Sequence, residues 1–539
     1  MNSKAGSTRR SFLHAGAAVI GGLGVVNIKS LAAAPQEPSA KGQIVGARSA
    51  IYDVRSFGAK GDGTSIDTPA INKAIETAAA AGGGTVVLPA GNYLCYTIHL
   101  KSNIALYLDQ GATIVAGETG SQGQYDPAEP NQWDHYQDYG HSHWHNSLIV
   151  GEEIHDFSIL GPGLIWGKGL SRGTRQGPRA EDPGVGNKAI SLKNCHNVNL
   201  RDFSILHGGH FGILATGVDN FTIDNLKIDT NRDGIDVDCC SNVRISNCSV
   251  NSPWDDAICP KSSFALGYAR PTENVTITNC FVSGSYMEGT LLDGTRKPFP
   301  PDERIPRNGR IKFGTESNGG FKRITVSNCV CDSCHGIALE AVDGALLEDV
   351  TIDNISMRNI NNGPIFLRLG DRMRGPEGVP VGALRRVIIS NIVCSDCTSG
   401  ISSIITGLPG HLIEDVKLSN IIIEHRGGGT PEQAKREVPE EERDRYPEPG
   451  RFGDTPSNGF FIRHVKGIEM NDVKILVQQP DARPAFVLED VHGADFFRIK
   501  SPKNGDVATF GLKNVEDFKV SQCNTVQDTH LDKVDNRKL

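Results

Sequence analysis

The amino-acid sequence predicts an all-β chain wound as a right-handed parallel β-helix, a single-stranded solenoid with a helix capping its first coil. Three observations carry that expectation. A β-branched phrase ending in a turn residue recurs from residue 198 onward. The 539 residues are 38% hydrophobic but only 6% aromatic and include 61 Gly, a composition suited to short strands and turns. One stretch of helical spacing stands immediately before the first strand-like run.

The first 35 residues are set apart from the fold. Thr8-Arg9-Arg10-Ser11-Phe12-Leu13 precedes an apolar run from Ala15 to Val26 and then Ala32-Ala33-Ala34, the pattern of a twin-arginine signal peptide. The apolar run is too short and Gly-rich to span a membrane comfortably. Residues 1–35 are therefore expected to direct export to the periplasm or the extracellular space, with 36–50 as a linker and no membrane attachment after signal removal. That route carries folded proteins, so the fold is expected to form in the reducing cytoplasm.

The capping helix is expected between Thr68 and Ala81, where Ile71, Ala74, Ile75 and Ala78 share one face. Strand resumes at Thr85–Leu94. A helix here would cover the open edge of the first coil. The repeat phrase then appears as Val198–Asp202, Phe221–Asn225, Val243–Asn247, Val275–Asn279, Ile324–Asn328, Val350–Asn354, Val387–Asn391 and Val416–Asn420. From Asn225 onward the closing Asn residues are 22, 32, 49, 26, 37 and 29 residues apart. A unit near 22 is too short for a strand-helix-strand crossover and fits one β-helix turn, with longer gaps carrying insertions. Stacked Asn side chains would form a ladder along one corner. Residues 426–456, rich in Gly, Pro and charge, are expected to be a long loop within the 51–525 solenoid, and 526–539 a polar tail.

The 13 cysteines are odd in number, and Cys248, Cys280 and Cys329 each follow a ladder Asn, which favours buried thiols. The pairs Cys331/Cys334 and Cys394/Cys397 invite a zinc reading. They hold equal positions in their coils, but the coil of Asn354 lies between. Two rungs of ~4.8 Å separate them too widely for one metal. A net charge of −8 gives no support for nucleic-acid binding. No cofactor or metal is expected, and the chain is expected to be a monomer.

One pair of adjacent coils carries unusual acids. Asp233 stands eight residues after Asn225, and Asp255 eight after Asn247 with Asp256 beside it. Equal offsets would stack these carboxylates on adjacent rungs. Acids that close repel one another when ionised, so at least one should hold a proton near neutrality, beside ionised partners able to activate water. Acidic corner residues or a calcium site are the plainer explanation of an isolated Asp-Asp. The registered triple favours chemistry.

These residues make the chain resemble the polygalacturonase family of glycoside hydrolases (family 28) from about residue 51 to 500. Phe57–Gly63 and Gly83–Gly91 resemble the opening of many pectin-active β-helix proteins. The family's Asn-Thr-Asp motif matches Asn231-Arg232-Asp233, with Arg for Thr. Its Asp-Asp motif matches Asp255-Asp256, followed by Ile258, Lys261 and Ser262. The resemblance implies an inverting hydrolase of α-linked galacturonic-acid-containing pectin, acting on galacturonan or rhamnogalacturonan. It makes Asp255 the general acid and gives Asp233 and Asp256 the nucleophilic water, with an acidic plant-type polysaccharide as partner. Asn231 and Lys261 are carried over as substrate-binding positions.

Two further family motifs fit less closely. Gly-His-Gly has no literal counterpart, and Glu288, nine residues after Asn279, is expected in line with Asp256. The carboxylate-binding Arg-Ile-Lys is present as Arg310-Ile311-Lys312, continuing to Glu316. That segment could instead align with the strand following Gly-His-Gly, which would put Ala338-Leu339-Glu340 in the carboxylate-binding position. The loop 121–146 holds Tyr125, Trp133, His135, Tyr136, Tyr139, His141, His143, Trp144 and His145, expected to be an aromatic wall for sugars in preference to a metal site. Arg368, Arg372 and Arg374 are further candidates for sugar carboxylates or solvated surface. A calcium-dependent pectate lyase and a non-catalytic glycan-binding β-helix are the alternatives from other classes. Endo versus exo attack is open at this level.

Overall fold

The computed structural model describes residues 50–120, 122–173, 180–440 and 446–539. The expected signal peptide and nearly all of the linker lie outside the described residues.

The coils around the site contribute three strands each, and from Phe321 onward neighbouring strands merge, as in Phe321–Asp332. Phe211–Thr216, Asp219–Asp224 and Lys227–Asp229 make one coil, and Asp233–Asp238, Ser241–Ser246 and Ser249–Asn251 the next. Corresponding strands pair in parallel, so Phe221 lies beside Val243 and Val243 beside Val275. Alternate side chains point inward and stack like on like. Ile190, Ile213, Ile235, Ile258, Ile311, Ile337 and Ile365 form one such buried column. At the far end Phe460, Phe486 and Phe510 stack with centroids 5.9 and 5.2 Å apart. Removing one of these side chains to Ala should cost about 2–5 kcal/mol, because neighbours above and below hold the cavity open.

The ladder forms as the spacing predicts and explains why Asn closes each phrase. Asn225, Asn247, Asn279, Asn328, Asn354, Asn391 and Asn420 all have φ between 54° and 57°. Asn enters this left-handed region more readily than other side-chain-bearing residues. Its amide then bonds the coil below: Asn354 donates to Asn328 at 2.7 Å and Asn420 to Asn391 at 2.6 Å. In places the ladder borrows a neighbour, as where Asn247 donates to Asp224 at 2.8 Å.

The capping helix spans Thr68–Ala80, with Pro in its first turn and Ile71, Ala74, Ile75 and Ala78 buried. The other end is also covered. Thr529–Lys538, expected to be a tail, pairs antiparallel with Phe510–Ser521 and occupies the last open sheet edge.

Two insertions cover the outward face of the sheet containing Phe211–Thr216, Asp233–Asp238, Ile258–Lys261 and Ile311–Phe313. On its N-terminal side Trp144 packs with Phe211, Leu214 and Ala265. On its C-terminal side Val438 and Phe452, from the long loop, pack over Ala338, Phe366, Ile404 and Phe461. Between these two apolar patches the same column reads Asp236, Cys259 and Lys312. The gap between the insertions is therefore polar, and a cleft opens there.

The four cysteines of the zinc reading are buried, with Met357 paired between Cys331 and Cys394. That is the one-coil separation the sequence predicts. Cys394 and Cys397 lie 3.2 Å apart as neighbouring thiols.

Candidate active site

A cleft of about 890 Å³ lies over these polar rungs, lined among others by Tyr139, His141, His210, Arg232, Asp233 and Asp255. Asp233, Asp255 and Asp256 each place a carboxylate oxygen within 4.8 Å of the others. Their register differs by one residue from the ladder count. Ile235 pairs with Ile258, an offset of 23 in place of the ladder's 22, so Asp233 lines up with Asp256 and not with Asp255. The turn Ser252–Ala257 contains the extra residue. It leaves the Asp255 side chain 22% exposed and that of Asp256 fully buried.

The three acids have different electrostatic settings. Asp256 is buried, which alone would raise its pKa, but Lys312 Nζ lies 2.6 Å and Arg310 Nε 2.9 Å away. Those cations hold it well below the usual carboxylate range. Asp233 has the opposite balance. Burial first, then the charges of Asp255 and Asp236, push its pKa well above the ordinary value, and its Oδ1 has no hydrogen-bond partner among the described residues. Asp255 forms an ion pair with Arg232 at 2.9 Å. An acid disposed to keep its proton and one held ionised thus stand side by side. Gly234 permits the close approach: a Cβ there would lie 2.5 Å from both Ala257 O and Val250 Cγ1.

Arg310-Ile311-Lys312 occupies the rung directly after Asp255-Asp256, since Ile258 pairs with Ile311. Lys312 in turn pairs with Ala338 and Phe313 with Leu339, so Ala338-Leu339-Glu340 is one rung further on. Both cations are buried under the long loop: Arg310 is held by Glu448 at 2.5 Å and Lys312 by Tyr446 Oη at 2.6 Å. They anchor Asp256 instead of facing a ligand. Burial pushes Glu340 up to about 8 against the pull of Lys312 and Arg310.

Glu288 is not in line with Asp256, because Gly284 to Arg310 leave the sheet. Gly289 N and Leu291 N are tied to Asp229 at 2.9 and 2.8 Å. Glu288 instead pairs with Arg172 at 2.5 Å and His207 at 3.2 Å in a side pocket. Asn231 lies in the same pocket, its amide oxygen oriented to accept from Trp254 Nε1 at 2.9 Å and Arg172 Nη1 at 3.2 Å. Lys261 does face the cleft, at 3.5 Å from Glu316 and 3.8 Å from Asp236. Glu316 is buried beneath it and also accepts from Asp138 N at 3.0 Å.

The expected aromatic wall is mostly interior packing. Trp144 and Tyr125 are buried, and Trp133 stacks on Tyr136 against Phe264. Only Tyr139 and His141 of that loop's rings line the cleft. The three alternating histidines diverge: His141 faces Asp236 and Glu316, His143 meets Glu129 O and Asp134, and His145 pairs with Glu152. His141, Asp233 and Asp236 are compact enough to hold a cation, but Lys261 already supplies positive charge there. Arg368, Arg372 and Arg374 are structural, bonded to Gly407 O, Asp343 and Asp138 respectively.

Several cleft residues escape sequence reasoning. Arg172, His210, Trp254, Asn308, His335, Tyr446 and Glu448 reach the cleft from turns or insertions whose length the repeat period does not fix. Only the departure at Arg232 carries a signal, because Arg stands where the family has Thr.

Comparisons with known proteins fit this architecture. The family described as "Rhamnogalacturonase A/epimerase, pectate lyase-like" matches residues 51–253, and "Right handed beta helix region" matches residues 211–374. The "Probable polygalacturonase" of Vitis vinifera is 23% identical over 421 residues, covering 67% of this chain and 79% of its own. The "Polygalacturonase" of Cochliobolus carbonum is 25% identical over 279 residues, 49% of this chain and 67% of its own. Among solved structures, the Family 28 exopolygalacturonase of Yersinia enterocolitica superposes with a TM-score of 0.57 at 17% identity, covering 85% of this chain and 78% of its own.

Proposed function

We propose, for a chain that belongs to the polygalacturonase family of glycoside hydrolases, that the acid cluster hydrolyses α-linked galacturonic-acid-containing pectin with inversion. The observation that carries this reading is the unequal setting of the three carboxylates. Asp255, the most exposed, is placed to give a proton to the leaving glycosidic oxygen. Asp256, kept ionised by Lys312 and Arg310, and Asp233 beneath the cleft would position and deprotonate the attacking water. The oxygens are closer together than the roughly 6.5–9.5 Å usual for inverting pairs. The acids differ in depth, however, and one proton shared among them removes part of their repulsion.

The cleft shape supports attack at a chain end. On its N-terminal side Gly173 packs against both Tyr139 and His210, so two insertions meet above that rung. On its C-terminal side Tyr446 and Glu448 stand over Lys312 and Arg310. A polymer running through would meet both. Incubation with polygalacturonate and with rhamnogalacturonan, followed by product sizing, tests the reading. Saturated monomer or short oligomer should accumulate while long chains persist. Rapid loss of chain length would remove the chain-end claim, and no cleavage of either polymer would remove the hydrolase reading.

A further inference from the structure

A substrate carboxylate needs a cation, and several cations at this cleft are already held by acids, Lys261 between Glu316 and Asp236 among them. Arg310 and Lys312 are buried on Asp256, Glu448 and Tyr446, and Arg172 is engaged by Glu288. Arg232 is different. It stands at the cleft floor next to Asp233 in sequence, with 18% of its side chain exposed, and its Nη2 forms an ion pair with Asp255 Oδ2 at 2.9 Å. Its Nε is buried and has no hydrogen-bond partner among the described residues, so the pairing of this guanidinium is incomplete. On its other side lies His210 Nε2 at 3.4 Å, and His210 Nδ1 lies 2.9 Å from Arg172 O. Burial, then Arg232, keep His210 neutral, so Nδ1 carries the proton and Nε2 accepts. A planar guanidinium released from Asp255 suits a bidentate carboxylate.

The arrangement also raises a difficulty for the proposed mechanism. The acid meant to donate a proton is paired with a cation, while Asp233, meant to act as a base, is the one placed to hold a proton. Resting on the hydrolase reading above, we infer that Arg232 reads the carboxylate of the incoming uronate and, in exchanging Asp255 for it, lets one proton pass from Asp233 to Asp255. The O–H bond of Asp233 breaks and one forms on Asp255, with no other donor required. The exchange leaves Asp255 protonated and both Asp233 and Asp256 ionised, the state that hydrolysis needs. The charged and titratable groups around Asp255 and Asp233 are Arg232, His210, His141, Asp236, Asp256 and Lys261, with Lys312 and Arg310 behind Asp256. Among the described residues, Arg232 is the cation paired with Asp255. An uncharged sugar would leave that pair intact, so charge recognition and catalytic readiness become one event.

The test separates binding from hydrolysis. Galacturonate, which has no bond to cleave, and its methyl ester are titrated calorimetrically into the wild type, Arg232→Gln and Arg232→Lys, each checked for an unchanged melt. The wild type should prefer the acid by at least about tenfold, the weight of a charge-assisted bond pair. Arg232→Gln should abolish that preference and Arg232→Lys retain part of it. In hydrolysis of oligogalacturonate, Arg232→Gln should raise KM and lower kcat together, with a far smaller loss on the methyl-esterified oligomer. A wild type that does not discriminate acid from ester, or an Arg232→Gln variant that keeps the preference, would overturn the inference. A wild type that prefers the acid but cleaves no polymer would overturn the hydrolase reading and leave the carboxylate site standing.

Discussion

Within each coil, the corner closed by Asn and the corner entering the cleft differ in how completely their polar groups are partnered. At the Asn corner each side chain bonds the coil below, as Asn354 does to Asn328, and the geometry repeats unchanged for many rungs. At the cleft corner, Asp233 Oδ1 and Asp236 Oδ1 have no hydrogen-bond partner among the described residues, although both side chains are buried. Repetition satisfies polar groups because identical neighbours are complementary to each other. Where repetition fails, and acids meet acids, groups remain that can bind or react. Reactive potential and loss of register come together in this molecule.

The comparison predicts its largest effect at the acid nearest solvent. Asp255→Asn should lower turnover on a natural polymer by roughly 10²–10⁴-fold, the range of general acid assistance, with little change in melting temperature. The loss should shrink on a substrate whose leaving group needs no proton. An Asp255→Asn enzyme with normal turnover would remove this residue from the mechanism.

Next in size are opposite stability effects from the two buried acids. Asp256→Asn leaves Arg310 and Lys312 without their shared anion, and breaking such a pair typically costs about 3–5 kcal/mol. Asp233→Asn removes a carboxyl that resists ionisation, so it should raise stability at neutral pH. The pH dependences differ in sign. Stability contributed by Asp256, whose pKa is depressed, is present above the unfolded value of about 3.9 and is lost as pH falls through the folded one. That associated with neutral Asp233, whose pKa is raised, is present below about 3.9 and is lost as pH rises through its folded value. Melting curves from pH 4 to 8 should show the advantage of Asp233→Asn growing with pH. A shrinking advantage would contradict the environment assigned to Asp233.

The ladder should respond less. Asn354→Ala forces a left-handed backbone on a residue without a stabilising side-chain bond, a cost of about 1–2 kcal/mol measurable by denaturant titration and without effect on KM. Smallest of all is chelation: with positive charge supplied by Lys261, Lys312 and Arg310, treatment with EDTA should leave the rate unchanged.

The same contrast explains what the sequence reveals. The ladder phrases, the inward columns and the capping helix follow from local periodicity, since each requires only a residue and its copies one coil away. The convergence of Asp233, Asp255 and Asp256 is legible for the same reason, although the extra residue in Ser252–Ala257 moves Asp256, not Asp255, opposite Asp233. Glu288 shows where counting ends, because an excursion from Gly284 to Arg310 intervenes and its anchor, Asp229, lies two coils back. Tyr446 and Glu448 are beyond any local signal. Their partners Lys312 and Arg310 are more than a hundred residues away in sequence, and only folding of the long loop over the apolar column brings them together. The cations of Arg310-Ile311-Lys312 support Asp256 because that strand lies one rung from the acids, a placement that strand pairing determines and residue type does not.

The central claim is that these acids deliver water to one face of the sugar while a proton reaches the leaving oxygen on the other. Proton NMR of the first products released from oligogalacturonate, recorded before the anomers equilibrate, reads this directly. The account predicts a saturated product that appears first as the β-anomer and relaxes to the mixture. An α-anomer appearing first, or an unsaturated product, would contradict it.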